Sequence, residues 1–328
     1  MKGIIMATIK DVAKVAEVTV TTVSRVLNNR GYISEATRNK VYEAMRELNY
    51  QPNEVARSLL KKKSNIIGLI VPNVAHPFFG ELTNYIEYYA YKENYKVLIC
   101  NSYEEKEKEK DYIEMLKRNQ VDGIIIGSHT LDPSEYLSSK LPIVAIDRDF
   151  SMDIPFVTSD NYRGGVLATN LLIDKGCRKI AHISGPLKLS TPANRRYEAF
   201  MDVVKERGVS YVVMEEKLDI VENYKKLAYK LFKEHPDIDG VFASSDMIAA
   251  SLIQVGNEFN KKIPEDIKIV GYDDINIASL IVPPLTTIKQ PIEDIGKLLI
   301  KVLINKIENK EVELENTLPI TLIERKTT

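Results

Sequence analysis

Apolar positions recur at helical spacing through the first fifty residues and then gather into short unbroken runs. In residues 9–28, Ile9, Val12, Ala13 and Ala16 lie three and four apart, the period of an amphipathic helix. Glu17 and Val18 break that stripe. Thr19 is a good helix-capping residue, and Val23, Val26 and Leu27 make a second stripe over 20–27. Val20, Thr21, Thr22, Ser24 and Arg25 then fall mostly on the opposite side. A short helix with hydroxyls and an arginine outward can lie in a DNA major groove. An ordinary helical hairpin with a solvated face fits the same pattern, and pattern alone leaves the two readings level. Ser34 caps a third predicted helix, 35–48, whose core face is Ala36, Val41, Ala44, Met45 and Leu48. Pro52, a short helical run at 54–60 and Lys61, Lys62 and Lys63 follow.

From there the period changes. Apolar, β-branched runs at 66–72, 96–101, 123–127, 142–147, 179–185, 240–244 and 267–272 alternate with amphipathic patterns near 80–94, 104–118, 163–175, 193–207, 221–235 and 246–258. Apolar strands alternating with helices predict parallel sheets covered on both faces. Such alternation over about 260 residues exceeds one ordinary doubly wound sheet, so two α/β lobes are expected.

Charge sharpens the division. The whole chain of 328 residues is near neutral, with 45 basic and 46 acidic side chains. Through Lys63 there are 12 basic and 6 acidic, so a basic N-terminal module precedes an acidic body. That suits a polyanionic partner for the first part only. Cys100 and Cys177, the only two cysteines, sit in apolar surroundings and read as buried thiols rather than a disulfide, which fits a reducing cytoplasm. No apolar run approaches membrane length, and the opening MKGIIMATIK is too short for a signal peptide.

Ligands of open α/β sheets bind beyond the carboxyl ends of the strands. The residues there are His76 with Phe78 and Phe79, then Asp147-Arg148, Arg195-Arg196, Ser245-Asp246, Asp273-Asp274 and Gln290. Aromatic faces pack on the C–H faces of a sugar ring, while carboxylates, guanidinium groups and an amide bond its hydroxyls. Blander roles exist for each: Phe78 and Phe79 as core, Asp147-Arg148 as a surface ion pair, Asp273 as a helix cap. His76, His129, His182 and His235 show neither metal spacing nor an adjacent nucleophile, and the chain lacks G-x-G-x-x-G and G-x-x-x-x-G-K-[ST]. Those absences argue against a nucleotide-using enzyme, and no cofactor or metal is expected. Tyr85, Tyr88, Tyr89 and Tyr91 on one predicted helix read as core and subunit interface.

IKDVAKVA, TTVSRVLN, LNYQPNEVARSL, GYDD and LTTIKQP, in that order, resemble the LacI/GalR family of bacterial repressors from Met6, a candidate native start, to the C-terminus. The resemblance implies an α/β protein with an N-terminal all-α helix-turn-helix headpiece and a two-lobed, periplasmic-binding-protein-like domain of doubly wound parallel sheets. The expected divisions are a DNA-binding domain at 1–52, a hinge at 53–63 and a sugar-binding, dimerising domain at 64–328. Within the last, the N-lobe takes 64–162 and 291–319 and the C-lobe 163–290 and 320–328, with crossings near 161–163, 290–292 and 319–321.

In that frame Val20, Thr21 and Arg25 read bases, and Thr8, Thr19, Thr22, Ser24, Asn28 and Tyr32 contact phosphates. By resemblance Asn53, Ala56 and Leu59 belong to a hinge helix, with Leu59 as the minor-groove wedge. Similarity to ribose-binding proteins assigns Phe78, Phe79, Asp147, Arg148, Arg196, Asp273 and Gln290 to the effector site. His76 and Ser245 complete the set, each standing where an asparagine is usual. His76 and the Gly127-Ser128-His129 turn look like sucrose repressors. Asp147-Arg148, Gly185-Pro186-Leu187 and the ending IERKTT look like ribose repressors. The expected function is a cytoplasmic, homodimeric repressor released from a palindromic operator by a small sugar, ribose ahead of sucrose or fructose. An effector acting as co-repressor and a sugar-modifying enzyme are the alternatives. A dimer without a tetramerising helix after the last strand is expected.

Overall fold

The computed structural model describes residues 7–51, 63–128, 130–150, 153–187, 191–215 and 221–328. They fall into two compact units that divide at Ser64 and Asn65.

The first unit is a three-helix head. Helix α1 (Ile9–Val15) starts at Thr8, whose backbone N–H and hydroxyl both donate to Asp11 Oδ2, at 2.8 and 2.7 Å. Glu17 turns the corner with φ of 51°. Thr19 then caps α2 (Val20–Leu27) by accepting the Thr22 N–H at 3.1 Å. Ser34 does the same for Thr37 at the start of α3 (Glu35–Glu47). Each hydroxyl satisfies a helix N–H that would otherwise lack a partner. Val12, Ala13, Ala16, Val23, Val26, Val41 and Ala44 form the buried core, with Met45 and Leu48 packed against it. Ala36, expected on that core face, is exposed. It lies in the first turn of α3, ahead of the point where the helix meets α1 and α2.

The second unit contains two six-stranded sheets whose strands mostly alternate with helices. In the N-lobe, β1 (Ile66–Val71), α4 (Pro77–Lys92), β2 (Lys96–Asn101), α5 (Lys106–Arg118), β3 (Gly123–Ile126), α6 (Pro133–Leu137), β4 (Ile143–Ile146) and β5 (Phe156–Ser159) come in sequence. In the C-lobe, α7 (Asn161–Asp174), β6 (Lys179–Ser184), α8 (Arg195–Arg207), β7 (Ser210–Glu215), α9 (Val221–Glu234), β8 (Gly240–Ala243), α10 (Asp246–Glu258), β9 (Lys268–Asp273) and β10 (Thr286–Lys289) repeat the plan. Helix α11 (Ile292–Ile307) and β11 (Glu315–Leu318) return to the N-lobe, and β12 (Thr321–Ile323) ends in the C-lobe. Strand orders are β11-β5-β4-β3-β1-β2 and β12-β10-β9-β8-β6-β7, all parallel except β12 on β10. The chain therefore passes between lobes after β5, after β10 and between β11 and β12.

Each sheet reverses its winding direction once, between β1 and β3 and between β6 and β8, and such switch points are where open α/β sheets hold ligands. Every residue of β3, β4, β5 and β8 is buried. Strand β2 departs from the expected buried run, because it is an edge strand with Leu98 and Ile99 exposed. Cys100 and Cys177 are buried free thiols. Among the described residues no helix is long and apolar enough to cross a membrane.

Candidate functional sites: an exposed helix and a buried cleft

On the head, α2 turns its valines inward and leaves Val20, Thr21 and Arg25 exposed, Val20 at 40%. Thr8 and Thr19 are exposed, Tyr32 is 96% exposed, and Thr22, Ser24 and Asn28 are half-buried. Three of the expected phosphate contacts already serve the helix. The Thr22 hydroxyl meets that of Thr19 at 2.9 Å, and the Asn28 amide donates to the Ser24 carbonyl at 2.9 Å. A hydroxyl keeps a lone pair or proton for a second partner, so capping and phosphate contact are compatible. Tyr32 follows Gly31, whose φ of 71° belongs to the turn that projects it. Asn53, Ala56 and Leu59 lie outside the described residues.

In the body, a cavity of about 190 Å³ lies between the lobes, lined by Phe78, Phe79, Gly127, Ile146, Asp147, Thr191 and Ala193. Pro77 opens α4 just after β1, and His76 caps it. Phe78 packs into the N-lobe core, while Phe79 meets it edge-on, with ring centroids 5.3 Å apart. Gly127, after β3, lets this wall close: a Cβ there would sit 3.1 Å from Ile146 and 3.4 Å from Phe79. His76 stands edge-on to Phe79, and burial lowers its pKa, which keeps it neutral. Its Nδ1 is buried without a hydrogen-bond partner. Two larger grooves, of about 680 and 440 Å³, flank the interlobe crossings. The smaller cavity lies beyond the N-lobe switch point, with Phe78 and Phe79 after β1 and Gly127 after β3, and Thr191 and Ala193 of the C-lobe also line it.

A polar wall adjoins it. Asp147 accepts the Thr158 hydroxyl and, at 3.2 Å, the Asn161 amide. Asn161 in turn accepts Arg196 Nε at 2.7 Å. Arg196 is buried, donates Nη1 to the Ser244 carbonyl at 2.8 Å and lies 3.6 Å over the Tyr272 ring. Gly165 permits this placement, since a Cβ on it would come within 2.6 Å of the Arg196 carbonyl oxygen. Asp273 accepts Gln290 Nε2 at 2.7 Å, and Gln290 Oε1 accepts the Ser159 hydroxyl at 2.7 Å. Gln290 therefore links strands of both lobes.

The backbone at these acids is unusual: φ is 53° at Asp147, 113° at Asp273 and 55° at Asp274. Such left-handed conformations cost free energy outside glycine and gather at functional sites. Burial pushes the Asp273 carboxyl up to about 7, with Arg196 and Gln290 pulling it back and Asp147 and Glu81 adding to the rise.

Arg148 and Ser245 do not join this wall. Arg148 Nη2 reaches the Leu131 carbonyl at 3.4 Å, its guanidinium lies 4.7 Å over Phe150, and its Nη1 is buried without a partner. Ser245 caps α10 through the Ile248 N–H. Asp246, beside it, is buried, accepts the Thr287 hydroxyl at 2.5 Å and the Ile275 N–H at 2.9 Å, and serves the fold. Thr158, Asn161 and Tyr272 went unnoticed in the sequence because a lone small polar residue or a core tyrosine carries no periodic signal. Among the described residues, no group of three or more His, Cys, Asp or Glu could hold a metal ion.

Two family descriptions fit this geometry. Residues 8–53 match the bacterial regulatory proteins of the lacI family, and residues 64–326 match the periplasmic binding proteins and sugar binding domain of the LacI family. The chain belongs to the LacI family. Among LacI-family relatives, it is 45% identical over 324 residues to a ribose operon repressor of Halalkalibacterium halodurans, covering 98% of this chain and 97% of that one. It is 42% identical to a sucrose operon repressor of Streptococcus mutans, covering 97% and 98%. A lac repressor dimer bound to operator and the anti-inducer ONPF superposes with a TM-score of 0.88 at 27% identity, over 98% of each chain. A LacI-family regulator from Enterococcus faecium with bound ribose does so at 0.72 and 29%, over 80% of this chain and 98% of that one.

Proposed function

We propose that this protein is a sequence-specific DNA-binding repressor of carbohydrate utilisation genes, released from a pseudo-palindromic operator by a small sugar, with ribose favoured. The observation that carries it is one chain joining an exposed hydroxyl-and-arginine helix to a small interlobe cavity walled by Phe79 on one side and Asp147 on another. Residues 1–52 read DNA, with Val20, Thr21 and Arg25 on base edges and Thr8, Thr19, Thr22, Ser24, Asn28 and Tyr32 on phosphates. Asn53, Ala56 and Leu59 form the hinge within 53–63, and residues 64–328 bind the sugar and dimerise. The sugar ring stacks on Phe79, and its hydroxyls bond Asp147, Arg196 and Asp273. Arg148 and His76 each keep an idle buried nitrogen for the same ligand.

Binding across the crossings favours one relative placement of the lobes, and this change weakens operator binding. Operator must lower sugar affinity by the same factor. Two such bodies pair through exposed apolar side chains: Leu98 and Ile99 on β2, Tyr88 and Tyr91 on α4, and Leu280 and Val282, which are 75% and 81% exposed. The protein acts in the cytoplasm, as a regulator and not an enzyme.

The test is fluorescence anisotropy of a labelled operator from upstream of its own gene cluster, titrated with protein and then with ribose, sucrose or fructose. Release by ribose is expected. Release by sucrose alone would transfer the effector assignment to the sucrose repressor likeness, tighter binding would make the sugar a co-repressor, and operator binding that no sugar changes would overturn the effector reading.

A further inference from the structure

Glu109, early in α5, is fully buried in the N-lobe. Burying a carboxylate costs several kcal/mol unless its oxygens are satisfied. The groups that reach it are hydroxyls and one amide. Ser128 Oγ and Thr130 Oγ1, the latter at 2.5 Å, donate to Oε2, joined by the Thr130 N–H at 3.4 Å, while Tyr136 OH donates to Oε1. An ionised carboxylate, which only accepts, matches four donors.

The network ends at the cleft in two places. Ser128 directly follows Gly127 in the cavity wall, and Ser102 Oγ bonds Ser128 Oγ at 2.9 Å, while the Ser102 N–H bonds the Val71 carbonyl at 2.9 Å. The carboxylate thus ties together the carboxyl ends of β1, β2 and β3. On its other side, Tyr136 OH accepts the Leu131 N–H at 3.4 Å, and the Leu131 carbonyl is where Arg148 rests. That rest is loose, one long hydrogen bond from Nη2 with Nη1 buried and idle.

We infer that Glu109 is a positioning residue of the effector site: its carboxylate fixes Ser128 and Thr130 and, through Tyr136 and Leu131, the place from which Arg148 turns to the sugar. It touches no ligand itself. The inference rests on the sugar-effector reading above.

The test uses the full chain, D-ribose and calorimetry. Glu109→Gln keeps the shape but faces an NH₂ toward donors. Ribose affinity is expected to fall about tenfold, or about 1.4 kcal/mol, with sugar-free operator affinity held within about twofold. Because Glu109 acts through Arg148, adding Arg148→Ala should weaken binding no further than Arg148→Ala alone. Fully additive losses, or a single variant within about twofold of the parent, would overturn the proposal. Ser128→Ala, which removes one donor and keeps the carboxylate, should give a smaller loss in the same direction and decides the matter if the glutamine variant does not fold.

A second arm needs no ligand. The Thr130 and Leu131 amides should exchange with deuterium roughly tenfold faster in either variant, a local opening of about 1.4 kcal/mol. Unchanged rates overturn the proposal even if the parent protein ignores ribose, an outcome that on its own counts against the ribose reading.

Discussion

In the head, Val20, Thr21 and Arg25 stand in solvent over a core of seven small buried side chains, whereas in the body Asp273 and Gln290 are buried and bonded to each other, and buried Arg196 is bonded to Asn161 and the Ser244 carbonyl. The difference follows from the ligand. DNA is a surface larger than the head, so its reader must present free groups and needs only a stable frame behind them. A small sugar is surrounded, so its contacts must be pre-organised in a place water does not fill, and organising buried polar groups takes a network. Function and stability are therefore separable in the head and entangled in the body.

The largest test of that contrast is Arg196→Ala. Losing it strands the Asn161 and Ser244 carbonyl oxygens and removes the cation beside Asp273. Sugar affinity should fall by more than about 100-fold, and body stability should drop by about 3 kcal/mol in denaturant unfolding. A variant that loses sugar binding with unchanged stability would show that the network is not structural. Arg25→Ala, by contrast, should weaken operator binding by about 1–3 kcal/mol, with specificity relaxed at one base pair and the melting temperature unchanged. Anisotropy on matched and mismatched operators, alongside calorimetric melting, reads both.

Acidity sharpens the same contrast within the body. Asp273 rises from 3.8 to about 7, chiefly through burial. A carboxyl whose folded pKa is raised favours the folded state fully below its unfolded value, and that contribution is lost as pH climbs through the folded value. Stability should therefore decline between about pH 4 and 7, by at most about 1.4 kcal/mol per unit from this group, and level off above. Asp246, pushed up by burial and by Asp273, adds to the decline. Asp273→Asn should flatten the slope; a slope unchanged by that substitution would locate the titration elsewhere.

What could be read before the fold was known follows the same line. The head was legible almost to the residue, because capping and a 3.6-residue period are local: Thr19 and Ser34 sit where their chemistry says, and only Ala36 was misplaced. In the body, buried strands showed as apolar runs, and Phe79, Asp147, Arg196, Asp273 and Gln290 do gather at the lobe junction. The partners that hold them did not show. Asn161 and Thr158 matter because β5 pairs with β4 and so brings them to Asp147, a strand pairing that hydrophobic periodicity does not report. Helix α11, amphipathic and carrying seven buried residues, was legible in the same pattern although it was not singled out there. Arg148 was assigned by its place after a strand, yet its side chain turns to Leu131.

The smallest expected effect belongs to Val20. Its side chain is 40% exposed on the outer face of α2, with no polar atom, so it can recognise a base pair only through the thymine methyl. Val20→Ala removes two methyl groups' worth of apolar contact, on the order of 1 kcal/mol at most. The loss should appear only on operators carrying thymine at the facing position, and vanish when that base pair is changed. Head stability should not move, because the inward valines Val23 and Val26 carry the packing. Competition between two operators differing at that single base pair measures the effect directly. A penalty equal on both would mean that Val20 supports the frame and does not read the sequence, and the separation of function from stability in the head would fail at its most exposed residue.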